Sequence, residues 1–391
     1  MPLKDLMQRP THGQIVEIPH SSPSLLQEFV GDEDAQRAGL ATHARLRQLT
    51  HNVVTEQRDL SIPQDLLDTC DDDLVLVPGT LAETIRTSSG QSRTIQRKVL
   101  VEYKYNNGPN VESQVHQLVS LLSSAGGSDL RTLQCKGYVD ERDDTGRYAF
   151  VFSYPNDTDL SLPISLNEVL RGTTKHARLS LPDRFHVAQV IANSVSVLHA
   201  DGWVHKSIRS HSIVFFERRD GPLTYDHPFL VDFEYSRPEN SDTMWDSDED
   251  AQRNLYRHPA RQYTPTESFT KLHDIYALGV VLLEIGLWQT AFEIQEQAIR
   301  RLGIAAVVGE WKLKKVYIEA AGAGLIHQMG PAYSNAVLTC LSGDLGHVTV
   351  QSDLQMPSLR GDSQTAGTRA DIGMIFYQKV VEMLDPSHLS K

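Results

Sequence analysis

Residues 198–216 read LHADGWVHKSIRSHSIVFF, and this stretch decides the fold. Its first residues end the long, largely buried helix that apolar periodicity predicts from Leu181 to His199. A polar loop follows the helix and carries His205, Lys206, Ser207 and Ser212. Side chains of this kind, gathered directly after a core helix, indicate a functional loop held by a rigid scaffold.

Three further motifs follow this loop in the chain. They read LVDFE at 230–234, YRHPA at 256–260 and HDIYALGVVLLE at 273–284. Each motif alone is weak, because short runs of this length occur by chance. The order and spacing of the loop and the three motifs carry the evidence, because chance is a poor explanation for all four in one chain.

Together these motifs resemble a protein kinase. The loop resembles the kinase catalytic loop H-R-D-L-x-x-x-N, in which Asp is the catalytic base and Asn holds a second magnesium ion. Here His205 keeps the histidine and Lys206 replaces the arginine. Ser207 stands at the position of the base, and Ser212 stands at the position of the Asn. The resemblance implies an α+β, bilobal protein kinase-like fold with a small β-rich N-lobe and a larger α-helical C-lobe.

The later motifs resemble other kinase elements with changes of their own. Asp232 matches the metal-binding Asp of D-F-G, with Glu234 in place of the glycine, and Ala260 replaces the Glu of A-P-E. The resemblance makes Asp232 the remaining candidate for a magnesium ligand. It also gives His205 a structural role, as a residue that hydrogen-bonds the backbone of the magnesium motif.

The segment KVLVEYKY at 98–105 is the best predicted strand and resembles the N-lobe strand V-A-I-K. One register puts Glu102 at the lysine position, and the other keeps Lys104 but puts Glu102 where a small alanine normally contacts adenine. Leu100, Glu102 and Lys104 share one face in either register, because strand side chains alternate. A carboxylate there would repel a triphosphate, which argues against nucleotide binding. Two alternatives remain for Lys104, a nucleotide-binding lysine and a surface or edge charge.

Two other N-lobe features bear on nucleotide binding. The sequence predicts a strand at 74–77 followed by a Pro78-Gly79 turn, and Gly79 and Gly90 do not make a recognisable glycine-rich loop. Glu112, in a helix predicted from Val111 to Leu122, is the acid available to pair with a strand lysine. A carboxylate in the first turn is also favoured by the helix dipole, which explains it without any partner.

The region between the D-F-E triplet and YRHPA is acidic, with five acids between Asp242 and Asp250. Such a run can imitate a phosphorylated activation loop by pairing with Lys206. A solvated, exposed loop is the alternative.

Composition restricts the function classes. The formal net charge of −13 argues against nucleic acid or an anionic membrane as a partner of the bulk surface. No apolar run is long enough for a transmembrane helix, and no signal peptide is recognisable at the N-terminus. The three scattered cysteines do not suggest a disulfide framework, which fits a reducing cytoplasm.

The expected domains are an N-terminal extension with short helices at 1–70, a kinase-like N-lobe at 71–155 and a C-lobe at 156–391. Short amphipathic helices are predicted at 24–30 and 41–49. From about residue 74 to 384 the chain also resembles the kinase-like C-terminal modules of fungal proteins in which a helical HeLo domain of the prion-inhibition and propagation class comes first. The strand at 99–104, the H-K-S loop and the D-F-E triplet carry that likeness.

The resemblance implies ATP and Mg²⁺ as cofactors, but the altered residues leave nucleotide binding open. The first hypothesis is a catalytically inactive pseudokinase that serves as a protein scaffold or switch in cytosolic signalling, in fungal self/non-self recognition. The second is an atypical serine/threonine kinase in which His211 or Glu234 supplies the missing functions. The third is a protein interaction module that binds no nucleotide.

Overall fold

The structure is a computed structural model that describes residues 59–69, 74–86, 91–105, 111–125, 130–172, 178–221, 223, 225–241, 248–309, 311–345 and 372–385. The helices predicted at 24–30 and 41–49 lie outside these ranges, as do Gly90 and the acids at 242–247. Within the described ranges a β-rich lobe precedes a larger helical lobe, and the two share one hydrophobic core. The predicted α+β bilobal fold is confirmed.

The small lobe is an antiparallel sheet with one long helix packed on it. Its elements are β1 (Leu67–Thr69), β2 (Val77–Arg86), β3 (Ser92–Tyr105), α1 (Val111–Ala125), β4 (Cys135–Glu141), α2 (Arg142–Thr145) and β5 (Arg147–Ser153), with a 3₁₀ turn at Gln64–Leu66. The strand order is β1-β2-β3-β5-β4. β3 is the central strand of the sheet, and residues 99–102 of its predicted part are all buried.

The two faces of β3 point into different cores, as alternation requires. Val99 and Val101 pack on the outer side of the sheet, under Ile62 and Leu67. Leu100 belongs to the main core on the other side, and Glu102 and Lys104 are buried there as well. The prediction that Leu100, Glu102 and Lys104 share a face is confirmed.

The sheet begins before residue 71, where the expected N-lobe starts. Ile62 donates its N–H to the carbonyl of Tyr138 at 2.8 Å, and Tyr138 donates to the carbonyl of Leu60 at 3.0 Å. β1 pairs with β2 through Leu67 opposite Leu81. Residues 59–69 therefore cover the outer face of the N-lobe sheet.

The predicted turn at Pro78-Gly79 is wrong, because both residues lie inside β2 and pair with Leu100 and Val99 of β3. Gly79 is needed there since a Cβ would lie 3.0 Å from the carbonyl oxygen of Asp68 in the adjacent β1. Pro78 lies one residue beyond the described pairing with β1, where its missing N–H costs no ladder hydrogen bond on that side.

The large lobe is mainly helical, with short strand pairs around the loop at 205–212. Its elements are β6 (Ile164–Ser165), α3 (Leu166–Leu170), α4 (Leu181–Ala200), β7 (Trp203–Val204), β8 (Ile213–Phe215), β9 (Phe229–Leu230), β10 (Arg237–Pro238), α5 (Ala251–Asn254), α6 (Lys271–Leu287), α7 (Ala291–Leu302), α8 (Ile304–Val307), α9 (Lys312–Ser342) and α10 (Ile372–Phe376). There are 3₁₀ turns at Ser210–Ser212, Pro259–Arg261 and Glu382–Leu384, and a π-helical turn at Tyr377–Val381. Gly330, with φ 80° and ψ 170°, breaks α9 into two helical parts.

The helices that support the polar loop begin where the sequence predicts. Ser180 caps α4 in a reciprocal capping box with Asp183, and Ser165 caps α3 in the same way with Glu168. α6 is buried from His273 to Gly286, which makes it the central helix of the lobe.

In the part of the chain that the structure describes, no single helix is long and apolar enough to cross a membrane. α6 and α7 reach that length and composition only when taken together, and the chain bends by 78° between them.

Candidate functional site

The loop at 205–212 is held in place by the carboxylate of Asp274, from the first turn of α6. Its oxygens accept the backbone N–H groups of His205 at 2.6 Å and Lys206 at 2.9 Å, and His199 Nε2 lies 3.1 Å away. Burial raises the pKa of Asp274, but the hydrogen bond and charge of His199 outweigh it and lower the pKa overall. The kinase-like scaffold of the loop is therefore intact.

Asp232, the candidate metal ligand, is bonded to two side chains of the same loop. Its Oδ2 accepts a hydrogen bond from Ser207 Oγ at 2.6 Å and two from Arg209, from Nε at 3.2 Å and Nη2 at 2.9 Å. The Asp232 side chain is 6% exposed and the Arg209 side chain 12%. A cationic side chain of the protein thus lies against the carboxylate that would bind a metal.

Ser212, at the position of the second metal ligand, is used in closing the loop. Its Oγ donates to the carbonyl of Arg209 at 2.8 Å and accepts the N–H of Arg209 at 3.0 Å. Ser212 is fully buried. Its hydroxyl is committed to a local turn that stabilises the position of Arg209.

Glu102 reaches from β3 to the backbone of the D-F-E triplet. Its two carboxylate oxygens accept the N–H groups of Asp232 at 3.0 Å and Phe233 at 2.9 Å. Burial raises the pKa of Glu102 to about 8, against the lowering effect of these two donors, and the nearby acids Asp232 and Glu234 raise it further. Asp232 has a positive φ of 77°, a conformation uncommon outside glycine, and the contact with Glu102 holds it.

Lys104 makes the second link between β3 and this segment. Its ammonium group donates to the carbonyls of Glu234 and Ser236, the latter at 3.2 Å. Lys104 is 6% exposed, so the alternative that it is a surface or edge charge is wrong. Burial lowers its pKa to about 8, although the charge of Glu234 opposes the change.

Glu112 is not part of this arrangement. It lies in the first turn of α1 with a side chain that is 59% exposed, 3.4 Å from Arg142. The pairing of Glu112 with a strand lysine is therefore not formed, because Lys104 bonds to backbone carbonyls on the other side of the cleft.

His205 packs under the D-F-E triplet, with its ring centroid 4.7 Å from that of Phe233. Burial lowers its pKa, and the charges of Asp274 and Asp232 and the backbone of Val231 oppose this change. The ring therefore lies beside the magnesium motif, and its predicted hydrogen bond to the backbone of that motif stays a prediction.

His211 and Glu234, the residues considered as substitutes for missing catalytic groups, lie on either side of Asp232. Burial and the charge of Arg209 lower the pKa of His211 to about 4, so its imidazole is neutral at physiological pH. Burial raises the pKa of Glu234, and Arg253 at 3.8 Å opposes this.

Lys206 lies in a basic environment. It contributes to a cleft of about 390 Å³ with Arg209, Arg253 and Arg257. Burial lowers the pKa of Lys206 to about 7, and the cations Arg237, Lys104 and Arg261 lower it further.

The acidic loop pairs differently from the prediction in its described part. Asp248 contacts Arg257 at 2.6 Å and Asp250 contacts Arg253 at 3.4 Å. Among the residues that the structure describes, Lys206 has no carboxylate partner. In the described part of the loop, Asp248 and Asp250 therefore pair with arginines and not with Lys206.

The cleft between the lobes does not fit a magnesium nucleotide in this arrangement. Metal binding would require Arg209 and Ser207 to leave Asp232, and the hydroxyl of Ser212, at the position of the second ligand, is bonded within the loop. Over the described ranges, no group of three or more His, Cys, Asp or Glu side chains is arranged to hold a metal ion.

Sequence reasoning missed Arg209, which is central to the site. The signal in the sequence is the cation itself, two residues after Ser207. Its side chain faces Asp232 because Ser212 closes the loop. Its meaning depends on a contact across 23 residues, which no local pattern reveals.

Comparison with known proteins agrees with the fold. No family model matches the chain. A serine/threonine-protein kinase-like protein of Arabidopsis thaliana is 26% identical over 167 residues, which is 41% of this chain and 45% of that protein. The likeness, together with the α+β architecture, supports a protein kinase-like fold.

Proposed function

We propose that this chain is a pseudokinase, a kinase-like protein without phosphotransfer activity that serves as a scaffold or switch in cytosolic signalling. The observation that carries the proposal is the side-chain arrangement around Asp232. Arg209 and Ser207 occupy its carboxylate, and Glu102 binds the backbone on its other side. The side chains at these positions are instead bonded within the chain, and those of Glu102 and Lys104 link the two lobes.

The absence of a base supports the same conclusion. Phosphoryl transfer to a hydroxyl needs an acceptor or orienting group for its proton, and a serine hydroxyl is no such acceptor at neutral pH. Ser207 at that position also donates its own proton to Asp232. The His211 imidazole, which was considered as a substitute base, has the pKa of a weak base at about 4.

The test is a thermal-unfolding titration with ATP, with and without Mg²⁺, joined to a phosphotransfer assay. A ligand that binds only the folded state raises Tm in proportion to the logarithm of its concentration over Kd. We expect no metal-dependent rise at millimolar ATP and no transfer to protein substrates.

The matched variants are Asp232→Asn and Arg209→Met. If the wild-type chain gains a magnesium-dependent rise in Tm and transfers phosphate, and both effects vanish in Asp232→Asn, it is an atypical serine/threonine kinase and the proposal fails. Arg209→Met removes the cation from Asp232 while keeping the length of the side chain. A metal-dependent rise in this variant alone would identify Arg209 as the group that excludes the metal.

The finer kinship is part of the proposal. We place the lobes at about 71–155 and 156–391, with residues 59–69 added to the N-lobe sheet, and relate the module to fungal kinase-like modules that follow HeLo domains. The support is the strand at 99–104, the H-K-S loop and the D-F-E triplet. An experimental structure of residues 1–58 tests it: a helical bundle fits a HeLo-type remnant, and a different fold contradicts the kinship with self/non-self recognition proteins.

A further inference from the structure

The connection between α7 and α9 carries an unusual group of exposed apolar side chains. Leu302, Ile304, Val308 and Trp311 are 47%, 65%, 46% and 46% exposed, and we call these four residues the apolar corner. The sequence from 302 to 309 reads LGIAAVVG and contains no polar side chain. Single exposed apolar residues are ordinary, but exposed apolar side chains concentrated within residues 302–311 mark a candidate interaction surface.

The apolar corner is an ordered part of the fold. Val307, in the middle of the segment, is fully buried and anchors α8 to the lobe. Val308 donates its N–H to the carbonyl of Ile304 at 2.9 Å, and Lys312 Nζ donates to the carbonyl of Ala305 at 2.8 Å. The backbone is thus fixed with one side chain inward and the others outward.

Basic residues flank the apolar corner on both sides. From 300 to 315 the chain has five cations and one acid, Glu310, whereas the whole chain has a net charge of −13. The cations are Arg300, Arg301, Lys312, Lys314 and Lys315. The bond of Lys312 to Ala305 places one of them directly beside the apolar side chains.

The nearest carboxylates do not cancel this local charge. Arg300 contacts Glu296 at 2.9 Å and Arg301 contacts Glu319 at 3.9 Å, and the arginine side chains are 75% and 67% exposed. Exposed ion pairs of this kind are weak and easily exchanged for other partners.

We propose that the apolar corner binds the surface of an anionic lipid bilayer. The aliphatic side chains would enter the interfacial region, Trp311 would lie at headgroup depth, and the flanking cations would contact acidic headgroups. Apolar tips with a basic border are the combination that binds such surfaces, and tryptophan favours the membrane–water interface. The contrast between the basic corner and the acidic remainder would orient the molecule with this corner toward the membrane.

A lipid surface fits these residues better than a protein partner does. The exposed side chains are three aliphatic groups and one indole on a short connection, and the segment from 302 to 309 offers no side chain that could specify a protein by hydrogen bonds. Arg300, Arg301 and Lys315 are long, exposed side chains, which suits a fluid layer of negative headgroups. The proposal does not depend on the absence of phosphotransfer activity.

The test is co-sedimentation of the whole chain with vesicles of phosphatidylcholine alone and with roughly 30% phosphatidylserine, a composition that gives a negative surface. We expect binding to the anionic vesicles only, weakened by added salt. Ile304→Asp with Val308→Asp, and separately Lys312→Glu with Lys315→Glu, should each reduce the bound fraction about tenfold or more. Leu162→Asp is the matched control, because Leu162 is 46% exposed at a different place and should have no effect.

Fluorescence gives a second readout that does not depend on the amount bound. Quenchers placed in the lipid chains should reduce the emission of the wild-type chain, and Trp311→Phe should remove most of this reduction. Thermal unfolding of every variant confirms that it is folded.

Three results would overturn the proposal. The first is no binding to anionic vesicles, and the second is binding that the Ile304→Asp, Val308→Asp variant retains. The third is a concentration-dependent dimer, seen by light scattering, that the same variant abolishes while vesicle binding is absent. That outcome would assign the apolar corner to a second copy of the chain.

Discussion

The interlobe cleft and the apolar corner differ in what their side chains are bonded to. In the cleft, Glu102, Lys104 and Asp232 are almost completely buried, and each bonds to another part of the same chain. At the corner, Ile304 and Trp311 remain exposed on an ordered backbone. One region is closed by internal contacts, while the other leaves apolar side chains exposed, although its Trp311 ring also contacts His258 and Lys314.

The difference separates the frame of this kinase-like fold from the side chains in its cleft. Asp274 still orients the loop at 205–212, and α6 is still the buried centre of the large lobe. The polar groups of the cleft link the two lobes. A fold does not determine a function, so the cleft and the apolar corner need separate tests.

The largest expected effect tests the closed region. Glu102→Ala leaves the buried N–H groups of Asp232 and Phe233 without their acceptor, and each unsatisfied group costs about 1–3 kcal/mol. We expect the free energy of unfolding to fall by roughly 2–4 kcal/mol, less than the full sum because the buried carboxylate is also removed. Urea denaturation measures this change.

Glu112→Ala is the matched control for that experiment. The Glu112 side chain is 59% exposed, and its contact with Arg142 is an exposed ion pair, so the change should stay within about 0.5 kcal/mol. Equal losses in the two variants would mean that Glu102 does not lock the cleft, and the comparison between the two regions would lose its basis.

Much of the frame could be predicted from the sequence, because its signals are local. Alternation put Glu102 and Lys104 on one face of β3, and apolar periodicity predicted α4. The substitutions Ser207 and Ser212 also identified the altered loop. These conclusions need only a short window of sequence and its period.

What the sequence did not reveal depends on contacts between distant segments. The bond of Glu102 to Asp232 spans 130 residues, and the approach of β1 that requires Gly79 inside β2 is equally invisible locally. The apolar corner reads as an ordinary hydrophobic run in the sequence. Only burial distinguishes Val307, which is inside, from Ile304, which is outside.

The second prediction is smaller and concerns pH. The pKa of Glu102 is about 8 in the folded chain, against an ordinary value of 4.5, so the folded state binds more protons than the unfolded state between these limits. Stability from this group is therefore complete below pH 4.5 and is lost as the pH rises toward 8, by at most about 1.4 kcal/mol for each pH unit. Glu102→Gln should make the slope less negative in this window.

Urea denaturation at several pH values between 5 and 8 gives that slope for both chains. An identical slope in the wild type and Glu102→Gln would mean that the carboxyl does not titrate in this range. The stability of the closed region would then not depend on the protonation of Glu102 between pH 5 and 8.

The smallest expected effect tests the apolar corner, with the first and last residues of α8, Ile304 and Val307. Ile304→Ser should change the free energy of unfolding by less than about 0.5 kcal/mol, because the Ile304 side chain is 65% exposed and isoleucine and serine have similar helix propensities. Val307→Ser places a hydroxyl in a fully buried site and should cost roughly 2 kcal/mol. The urea midpoints of the two variants, compared at equal m-values, measure this difference in stability. If Ile304→Ser were as costly as Val307→Ser, the exposed apolar side chains would contribute to folding, and the corner would no longer be a surface left free for binding.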